Sequence, residues 1–494
     1  MRLHDPWACV WHEMQRPSWR NFDPILLAVS ILLVGYGLLV IASATRVVDV
    51  FASPALIRQA TIGVFGVVVM IGLSFVDYRA IGQIAPVLYL FMMVTLVLVQ
   101  LAGTLVAGAQ RWLDVAGVLI QPSELAKLIS VICLARFFAG RTIEPTPNEV
   151  RANPATGTFA EHIRTNLVAL AIVAPAVVFV YLQPDLGTSL VLISIYFSVA
   201  YFAGAPYAIL GGLASVPLLG FPVVWQVMKP YMRRRITSFL SPDRDPLGEG
   251  YNLIQARISV GSGGWWGRGL GNGTQTQLNF LRVQHTDFIF AVIGEELGFM
   301  GGLGLLMLYG ILFWRCLRAV QVSRDAFGRY LVGGITGMIL FQAFVNIAMN
   351  IGLLPVTGIP LPFISLGGSS LLTLFASLGL VQSVVVHSQS RRYDAKPSVE
   401  VPARSRLRAG RFALPFLPDA DVGFPAVSRY DRMAEPIAGR EETVRARPAV
   451  GSRRLPAPVG GGGTGGRVQA VSMIGNSAVA DAVQVPQSGG RISG

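Results

Sequence analysis

The sequence predicts an all-α polytopic membrane protein, and three observations point to that class. Charged residues make up only 14% of the 494 residues, whereas a soluble domain carries about 25%. Hydrophobic residues make up 52%, and the mean hydropathy is +0.55. Apolar segments of roughly 20 residues, the length of a membrane-spanning helix, recur along the chain. The chain is therefore expected to lie largely within a membrane.

About ten such segments are present, separated by polar stretches. They lie near 24–44, 56–75, 82–106, 122–139, 166–182, 187–203, 207–228, 288–314, 330–351 and 366–388. The longest polar stretch is the loop 229–287, between the seventh and eighth segments. We therefore predict an N-terminal segment (1–22), a ten-helix domain (23–390) and a tail (391–494). The tail is rich in Arg, Pro, Ala and Gly without periodicity, a composition typical of disorder.

The distribution of Lys and Arg predicts the orientation in the membrane. With ten spans, the basic short loops, the N-terminal segment and the tail all fall on one side, which we assign to the cytoplasm. The loop 229–287 then lies outside, although it carries eight basic residues. Long loops are partly exempt from the charge rule. The other interpretation is that these cations bind an anion at the outer face.

The net charge of +13 does not predict nucleic-acid binding, because the basic residues lie mostly in loops and tail between apolar segments. Membrane topology and contact with anionic lipid explain them more simply. The three cysteines show neither metal-binding spacing nor a disulfide framework.

Asp287 is the first candidate catalytic residue. It stands where the large loop meets the eighth apolar segment, in HTDFIFAVIGEELG. A carboxylate there can simply cap a helix. Partly desolvated beside a basic loop, it would instead have a raised pKa and act as a general base. Glu295 and Glu296 follow about two turns further in, as intramembrane functional acids or as partners of a buried cation.

The stretch RWLDVAGVLIQPSELAKL contains four further candidates. Arg111 and Trp112 lie just outside the third segment, where a Trp is usually an interfacial anchor. Glu124 and Lys127 are three residues apart, on one face of the fourth segment. A charge just inside a membrane is costly unless it is paired or lines a wet cavity. Lys127 could hold Asp287 in place or meet a phosphate.

Two glycine- and proline-rich stretches complete the candidate site. QPDLGTS holds Asp185, which could bind metal or substrate but is more simply a turn cap. NIGLLPVTGIPLPFISLGGSS (350–370) cannot form a regular helix, and irregular backbone at membrane depth lines a cavity or is buried in protein. Ser369 and Ser370 open the last helix, where free N–H groups suit an anion. Together, these residues predict an outward-facing polar cavity for an amphiphilic, anionic substrate such as a lipid-linked phosphate.

These stretches, with GEGYNLIQARISVGSGGWWGRGLGNGTQTQLNFL, resemble the signature motifs of the SEDS family (shape, elongation, division and sporulation), which includes RodA and FtsW. The resemblance covers roughly 20–390, and LLPVTGIPLP is most similar to RodA. It implies a ten-helix enzyme that polymerises lipid II, an undecaprenyl-pyrophosphate-linked disaccharide-pentapeptide, into glycan strands during cell elongation or division. It also implies a class B penicillin-binding protein as the transpeptidase partner.

The resemblance places the family's essential acid on Asp287, its functional Trp on Trp112 and its charged pair on Glu124 and Lys127. The chain departs from the family where Arg282 and Val283 replace a Pro-Glu pair. That change removes one carboxylate that could have assisted a metal.

The mechanism we expect is an inverting glycosyl transfer in which Asp287 takes the proton of the attacking sugar hydroxyl. The departing pyrophosphate would be stabilised by basic side chains or by a bound divalent metal, Mg²⁺ or Mn²⁺. The candidate substrate-binding residues are Arg111, Trp112, Glu124, Lys127, Arg233, Arg257, Arg268, Ser369 and Ser370. Two other functions also fit the sequence. A lipid II flippase would need two membrane sides but no polymer product, and a scaffold for the transpeptidase would not need Asp287.

Overall fold

A computed structural model describes residues 21–45, 53–106, 109–115, 118–141, 159–242, 249–278, 280 and 286–388. Most of the predicted N-terminal segment (1–22) and the whole predicted tail (391–494) lie outside these residues. The described chain is mostly helical, as predicted, with one small sheet.

The described residues up to Phe202 form seven helices and three strands. The elements are α1 (Pro24–Ala44), α2 (Pro54–Phe75), α3 (Tyr78–Gln83), α4 (Ala85–Ala102), β1 (Thr104–Val106), β2 (Ala109–Val115), β3 (Val118–Ile120), α5 (Pro122–Ala139), α6 (Phe159–Leu182) and α7 (Leu186–Phe202). Several starts follow directly from the sequence. Proline opens α1, α2 and α5, where its missing N–H costs nothing. Asp23 caps α1 and Asp185 caps α7 through backbone N–H groups.

The described residues from Tyr207 onward form nine further helices. They are α8 (Tyr207–Leu219), α9 (Phe221–Val227), α10 (Pro230–Leu240), α11 (Glu249–Ser262), α12 (Thr274–Gln277), α13 (Ile289–Glu296), α14 (Gly298–Val322), α15 (Ala326–Asn350) and α16 (Gly368–Ser388). Three of them, α10 to α12, lie within the predicted loop 229–287. That loop is therefore partly helical.

Seven helices of the described chain are long and apolar enough to cross a membrane: α1, α2, α4, α6, α14, α15 and α16. The other three predicted segments coincide with α5, which carries three charged residues, and with the shorter helices α7 and α8. In both α15 and α16, 72% of the apolar stretch is buried, compared with 22% in α4. Helices α15 and α16 therefore form the centre of the bundle, and α4 lies at its edge.

The all-α prediction needs one correction, because strands follow α4. Strands β1, β2 and β3 form an antiparallel sheet in that order. The predicted third segment, 82–106, was too long: α4 ends at Ala102 and is followed by extended Gly103. Arg111 and Trp112 therefore lie on a strand, in β2.

The predicted eighth segment, 288–314, is also interrupted. Helix α13 ends at Glu296, and α14 begins after Leu297 with Gly298 at φ +66°. The turn 263–269 docks on this junction through four backbone hydrogen bonds of 2.9–3.1 Å, formed by Arg268 N, Gly269 N, Phe299 N and Met300 N. A Cβ on Gly298 would lie 2.3 Å from Gly267 N, so the two backbones are in direct contact.

Candidate active site

Asp287 lies in the turn just before α13, outside the seven long apolar helices. Its carbonyl oxygen accepts hydrogen bonds of 3.0 Å from the side-chain amides of both Asn346 and Asn350. The carbonyl of Thr286 accepts a 2.6 Å bond from Ser365 Oγ. Helix α15 and the segment 351–367 thus hold the backbone of this turn on two sides, which fixes the position of the Asp287 carboxylate.

Asn346 and Asn350 are fully buried and one helical turn apart on α15. Asn346 also donates to Ile359 O at 2.8 Å, and Asn350 Oδ1 accepts from Ala291 N at 3.1 Å. The pair therefore ties three irregular or terminal backbone segments to one rigid helix. This satisfies backbone groups that the proline-rich stretch cannot pair internally.

Arg235 lies near the Asp287 carboxylate, on the other side of Gly358. A Cβ placed on Gly358 would lie 3.8 Å from Asp287 Oδ2 and 4.0 Å from Arg235 Nη1. Arg235 Nη1 donates to Thr357 O at 3.1 Å. Gly358 itself has φ +77°, a conformation that favours glycine. Helix α10, in the large loop, therefore places the Arg235 guanidinium near Asp287.

The surroundings of Asp287 raise the pKa of its carboxyl above the ordinary value. Burial is the largest cause, since it penalises the charged form, and nearby Asp185 acts in the same direction. Arg235, a hydrogen bond with Thr286, and Arg111 act in the opposite direction without cancelling the effect of burial. A carboxylate of raised pKa beside guanidinium groups is suited to act as a base on a substrate that carries negative charge.

Arg111 reaches this region from β2. Its Nε donates to Gln183 O at 3.0 Å, and its Nη2 donates to Pro184 O. Asp185, the next residue, caps α7 through Thr188 N at 3.1 Å and Thr188 Oγ1 at 2.9 Å. The turn-cap interpretation of Asp185 therefore matches its contacts, and its charge also acts on Asp287.

Three other candidates, Trp112, Ser369 and Ser370, lie in the sheet and at the start of α16. Trp112 pairs with Thr104 across β1 and β2, and its carbonyl accepts a 3.2 Å bond from Thr104 Oγ1. Gln121, just before α5, donates through its N–H to Ser369 Oγ at 3.3 Å and through its side chain to Asp185 Oδ2 at 3.3 Å. Ser370 follows in the first turn of α16. The structure thus brings the start of α5, the start of α16 and Asp185 together.

Glu124 and Lys127 form a buried ion pair with each other, 2.7 Å apart. Both side chains are at most 5% exposed. The expectation that Lys127 could hold Asp287 in place is therefore not what the contacts show. Its ammonium group is paired within its own helix, one turn from the acid.

Three predicted loop cations bind backbone elsewhere. Arg233 donates to Gln226 O at 2.6 Å, Arg257 to Gly352 O at 2.9 Å and Arg268 to Ser262 O at 3.3 Å. Arg257 and Arg268 are exposed. These contacts give each side chain a local structural role, and among the loop residues that the structure describes, Arg235 is the cation near Asp287.

Glu295 and Glu296 lie at the end of the short helix α13. Glu295 accepts bonds from Gln275 N at 2.8 Å and Thr276 N at 3.2 Å, which satisfies the free N–H groups of α12. Glu296 accepts a 2.5 Å bond from Ser43 Oγ. Both acids therefore attach the large loop and α1 to α13, and they do so through uncharged hydrogen-bond donors.

Comparison with known proteins agrees with this architecture. The family FtsW/RodA/SpoVE, described as cell cycle protein, matches residues 24–390. The peptidoglycan glycosyltransferase MrdB of Escherichia coli K12 is 37% identical over 368 residues, which are 74% of this chain and 94% of MrdB. The stage V sporulation protein E of Bacillus subtilis is 36% identical over 374 residues, 74% of this chain and 98% of that protein.

Two solved structures have a similar fold. A chain of a peptidoglycan synthase complex that coordinates polymerization and crosslinking has a TM-score of 0.61 and is 31% identical, covering 75% of this chain and 99% of its own length. The rod shape determining protein RodA of Thermus thermophilus has a TM-score of 0.53 and is 28% identical, covering 75% of this chain and 98% of RodA. The chain is therefore a multi-pass membrane protein that belongs to the FtsW/RodA/SpoVE family, the SEDS family.

Proposed function

We propose that the chain is a peptidoglycan glycosyltransferase that polymerises lipid II, with Asp287 as the general base. The observation that carries this proposal is the Asp287 cluster: a carboxyl of raised pKa on a turn fixed by two asparagines, with Arg235 and Arg111 near it. The names of the relatives support the reaction class, since MrdB is a peptidoglycan glycosyltransferase.

In the proposed reaction, a sugar hydroxyl of one substrate attacks the anomeric carbon of the other. Asp287 accepts the hydroxyl proton as the new carbon–oxygen bond forms, a role that contributes about 10²–10⁴-fold. The bond to the lipid pyrophosphate breaks, and the pyrophosphate leaves with the bonding electrons. Arg235 and Arg111 stabilise its negative charge from fixed positions, so little reorganisation is needed during the reaction.

A divalent cation remains a proposal. Within the part of the chain that the structure describes, no three His, Cys, Asp or Glu side chains lie close enough to hold a metal ion. Mg²⁺ or Mn²⁺ would then be held mainly by substrate pyrophosphate oxygens and by water, which Mg²⁺ usually keeps among its ligands. Bound there, it would supply positive charge to the leaving group. Activity measured across added Mg²⁺, Mn²⁺ and chelator tests this dependence.

We further propose a class B penicillin-binding protein as partner and a bacterial plasma membrane as location, with both termini cytoplasmic and Asp287 at the outer face. The similarity to a chain of a peptidoglycan synthase complex supports the partner. The loop-charge pattern supports the orientation. Thiol labelling of a cysteine introduced at Leu278, which is 61% exposed in the large loop, tests the orientation in intact cells.

The experiment that tests the function is a polymerisation assay with the purified full chain, labelled lipid II and divalent cation, with and without the cognate transpeptidase. Wild-type protein should form long glycan strands, and Asp287→Asn should form none while remaining folded. Product formation by Asp287→Asn at the wild-type rate would show that Asp287 is not the general base. If wild type makes no polymer even with the partner but moves lipid II across vesicle membranes, the chain is a flippase.

A further inference from the structure

A second polar cavity lies at the end of the bundle opposite Asp287. It has a volume of about 420 Å³ and forms where α3, the end of α5 and the start of α15 meet. Helix α5 begins beside the Asp185 turn and extends for 18 residues, about 27 Å, to this cavity. The cavity is therefore separate from the catalytic cluster and faces the other side of the membrane.

Two guanidinium groups and one carboxylate line the cavity. The guanidinium of Arg79 lies 3.5 Å from Asp325 Oδ1 and 5.4 Å from the centre of the Tyr78 ring. Asp325 is already engaged, since it also accepts from Tyr78 Oη and caps α15 through Gly328 N at 3.0 Å. The contact with Asp325 thus orients the Arg79 guanidinium at the cavity wall.

Arg136 supplies the second guanidinium, from the last turn of α5. Its side chain is exposed, and no salt bridge joins it to an acidic residue of the described chain. Gln83 adds an exposed amide to the same cavity. With two cations against one engaged carboxylate, the cavity favours an anion.

The chain on either side of the cavity-lining helix α3 is apolar and exposed. Phe75 and Val76 precede it, and Ile84 and Val87 follow it, with exposed fractions of 37–66%. On a membrane-spanning protein, exposed apolar side chains next to a basic cavity contact the acyl chains of the bilayer. The molecule that matches both parts is a phospholipid, with its phosphate in the cavity and its acyl chains against the apolar side chains.

We propose that this cavity binds the headgroup of an anionic phospholipid, with Arg79 and Arg136 contacting the phosphate. A guanidinium group often donates two parallel hydrogen bonds to two oxygens of one phosphate. Basic pockets between membrane helices bind anionic headgroups. A free phosphate would use the same guanidinium groups but would gain nothing from the apolar side chains. The site does not depend on the chemistry at Asp287.

The test is native mass spectrometry of the purified full chain titrated with phosphatidylglycerol, phosphatidylcholine or inorganic phosphate in detergent. We expect a first phosphatidylglycerol molecule to bind more tightly than phosphatidylcholine. Arg136→Gln should weaken that first binding about fivefold, the equivalent of ~1 kcal/mol for one basic residue near an anionic headgroup. Arg136→Glu should weaken it further.

Arg318→Gln is the matched control, because Arg318 is an exposed arginine near the end of α14 and does not line the cavity. It should leave the first binding constant unchanged. The exposed position of Arg136 keeps its variants foldable, which a thermal melt checks. The proposal is overturned if Arg136→Gln binds like wild type, if Arg318→Gln loses as much, or if phosphatidylcholine binds as tightly. Inorganic phosphate that binds as tightly as the lipid would show that a free anion is the ligand.

Discussion

Asn346→Ala should show how much activity depends on the position of the Asp287 carboxylate, since the variant leaves the carboxylate itself in place. The variant removes three hydrogen bonds of a fully buried side chain: those donated to Asp287 O and Ile359 O, and the 3.3 Å bond accepted from Asn350 Nδ2. Asp287 O keeps its hydrogen bond from Asn350, whereas Ile359 O loses the bond donated by Asn346 Nδ2. At about 1–3 kcal/mol for a buried group left unpaired, plus the loss of two bonds whose other partners stay hydrogen-bonded, we expect roughly 2–4 kcal/mol of destabilisation.

The kinetic effect should be larger than the effect on stability suggests. With one of its two tethers removed, the Asp287 turn can shift, and a displacement of about 1 Å in a catalytic group costs roughly 10²-fold in rate. We expect kcat for glycan polymerisation to fall by that factor while KM changes little, because the hydrogen-bond partners of Asn346 are backbone carbonyls and the buried side chain of Asn350. The assay is initial-rate polymerisation of labelled lipid II below the melting temperature of the variant, with a thermal melt alongside.

Asn166→Ala provides the control. Asn166 is also buried, lies on α6, and makes two comparable bonds, to His162 O at 2.8 Å and from Tyr196 Oη at 3.0 Å. It should lose similar stability and keep its kcat. The reasoning is refuted if Asn346→Ala turns over at the wild-type rate, or if Asn166→Ala loses kcat equally.

Four other predictions follow from the contacts. Since only ionised Asp287 accepts a proton, activity should fall as the pH drops through the raised pKa of its carboxyl. Arg235→Gln removes a nearby positive charge and should shift this fall to higher pH in a pH–rate profile. A variant profile identical to that of the wild type would contradict the prediction. The raised pKa also means that the folded state binds the proton more tightly than the unfolded chain, so stability from this group is lost as pH rises, and Asp287→Asn should raise Tm at neutral pH rather than lower it. Gly358→Ala should cost roughly 1–2 kcal/mol in denaturant unfolding because of its φ of +77°, and no loss would exclude that strain. Lys127→Met should destabilise the protein by about 3–5 kcal/mol, because it leaves Glu124 charged and buried without its partner. Adding Glu124→Gln to this variant should restore much of the lost stability. Equal melting temperatures for the single and double variants would argue against the ion pair.

The sequence predicted Asp287 as the catalytic candidate but not the cation beside it. Arg233 was selected from the run 233–235, whereas Arg235 is the residue near Asp287. Lys229 and Pro230 mark the start of α10, and residues two apart on a helix point in nearly opposite directions. Helical phase therefore separates the two arginines, since Arg233 contacts Gln226 O while Arg235 contacts Thr357 O.

Other features depend on partners distant in sequence. The spacing of Asn346 and Asn350 places them on one face of α15, and the sequence shows that much. It does not show that the face meets the Asp287 turn about 60 residues earlier. Likewise, the break at Gly298 is hidden in a continuous apolar run, because its cause is the backbone of Gly267 against it. Local pattern predicts helices well, whereas contacts between distant segments decide where helices break and which polar groups meet.

The docked turn at the α13–α14 junction has a mechanical consequence. Asp287 precedes one end of α13, and the turn 263–269 is fastened at the other end, about 12 Å away along eight helical residues. Because the fastening is backbone to backbone at Gly267 and Gly298, no side-chain rotation can absorb a displacement there. We therefore expect a tilt of α14 in a thicker or thinner bilayer to move α13 as a rigid unit, so that the position of the Asp287 carboxylate depends on bilayer thickness.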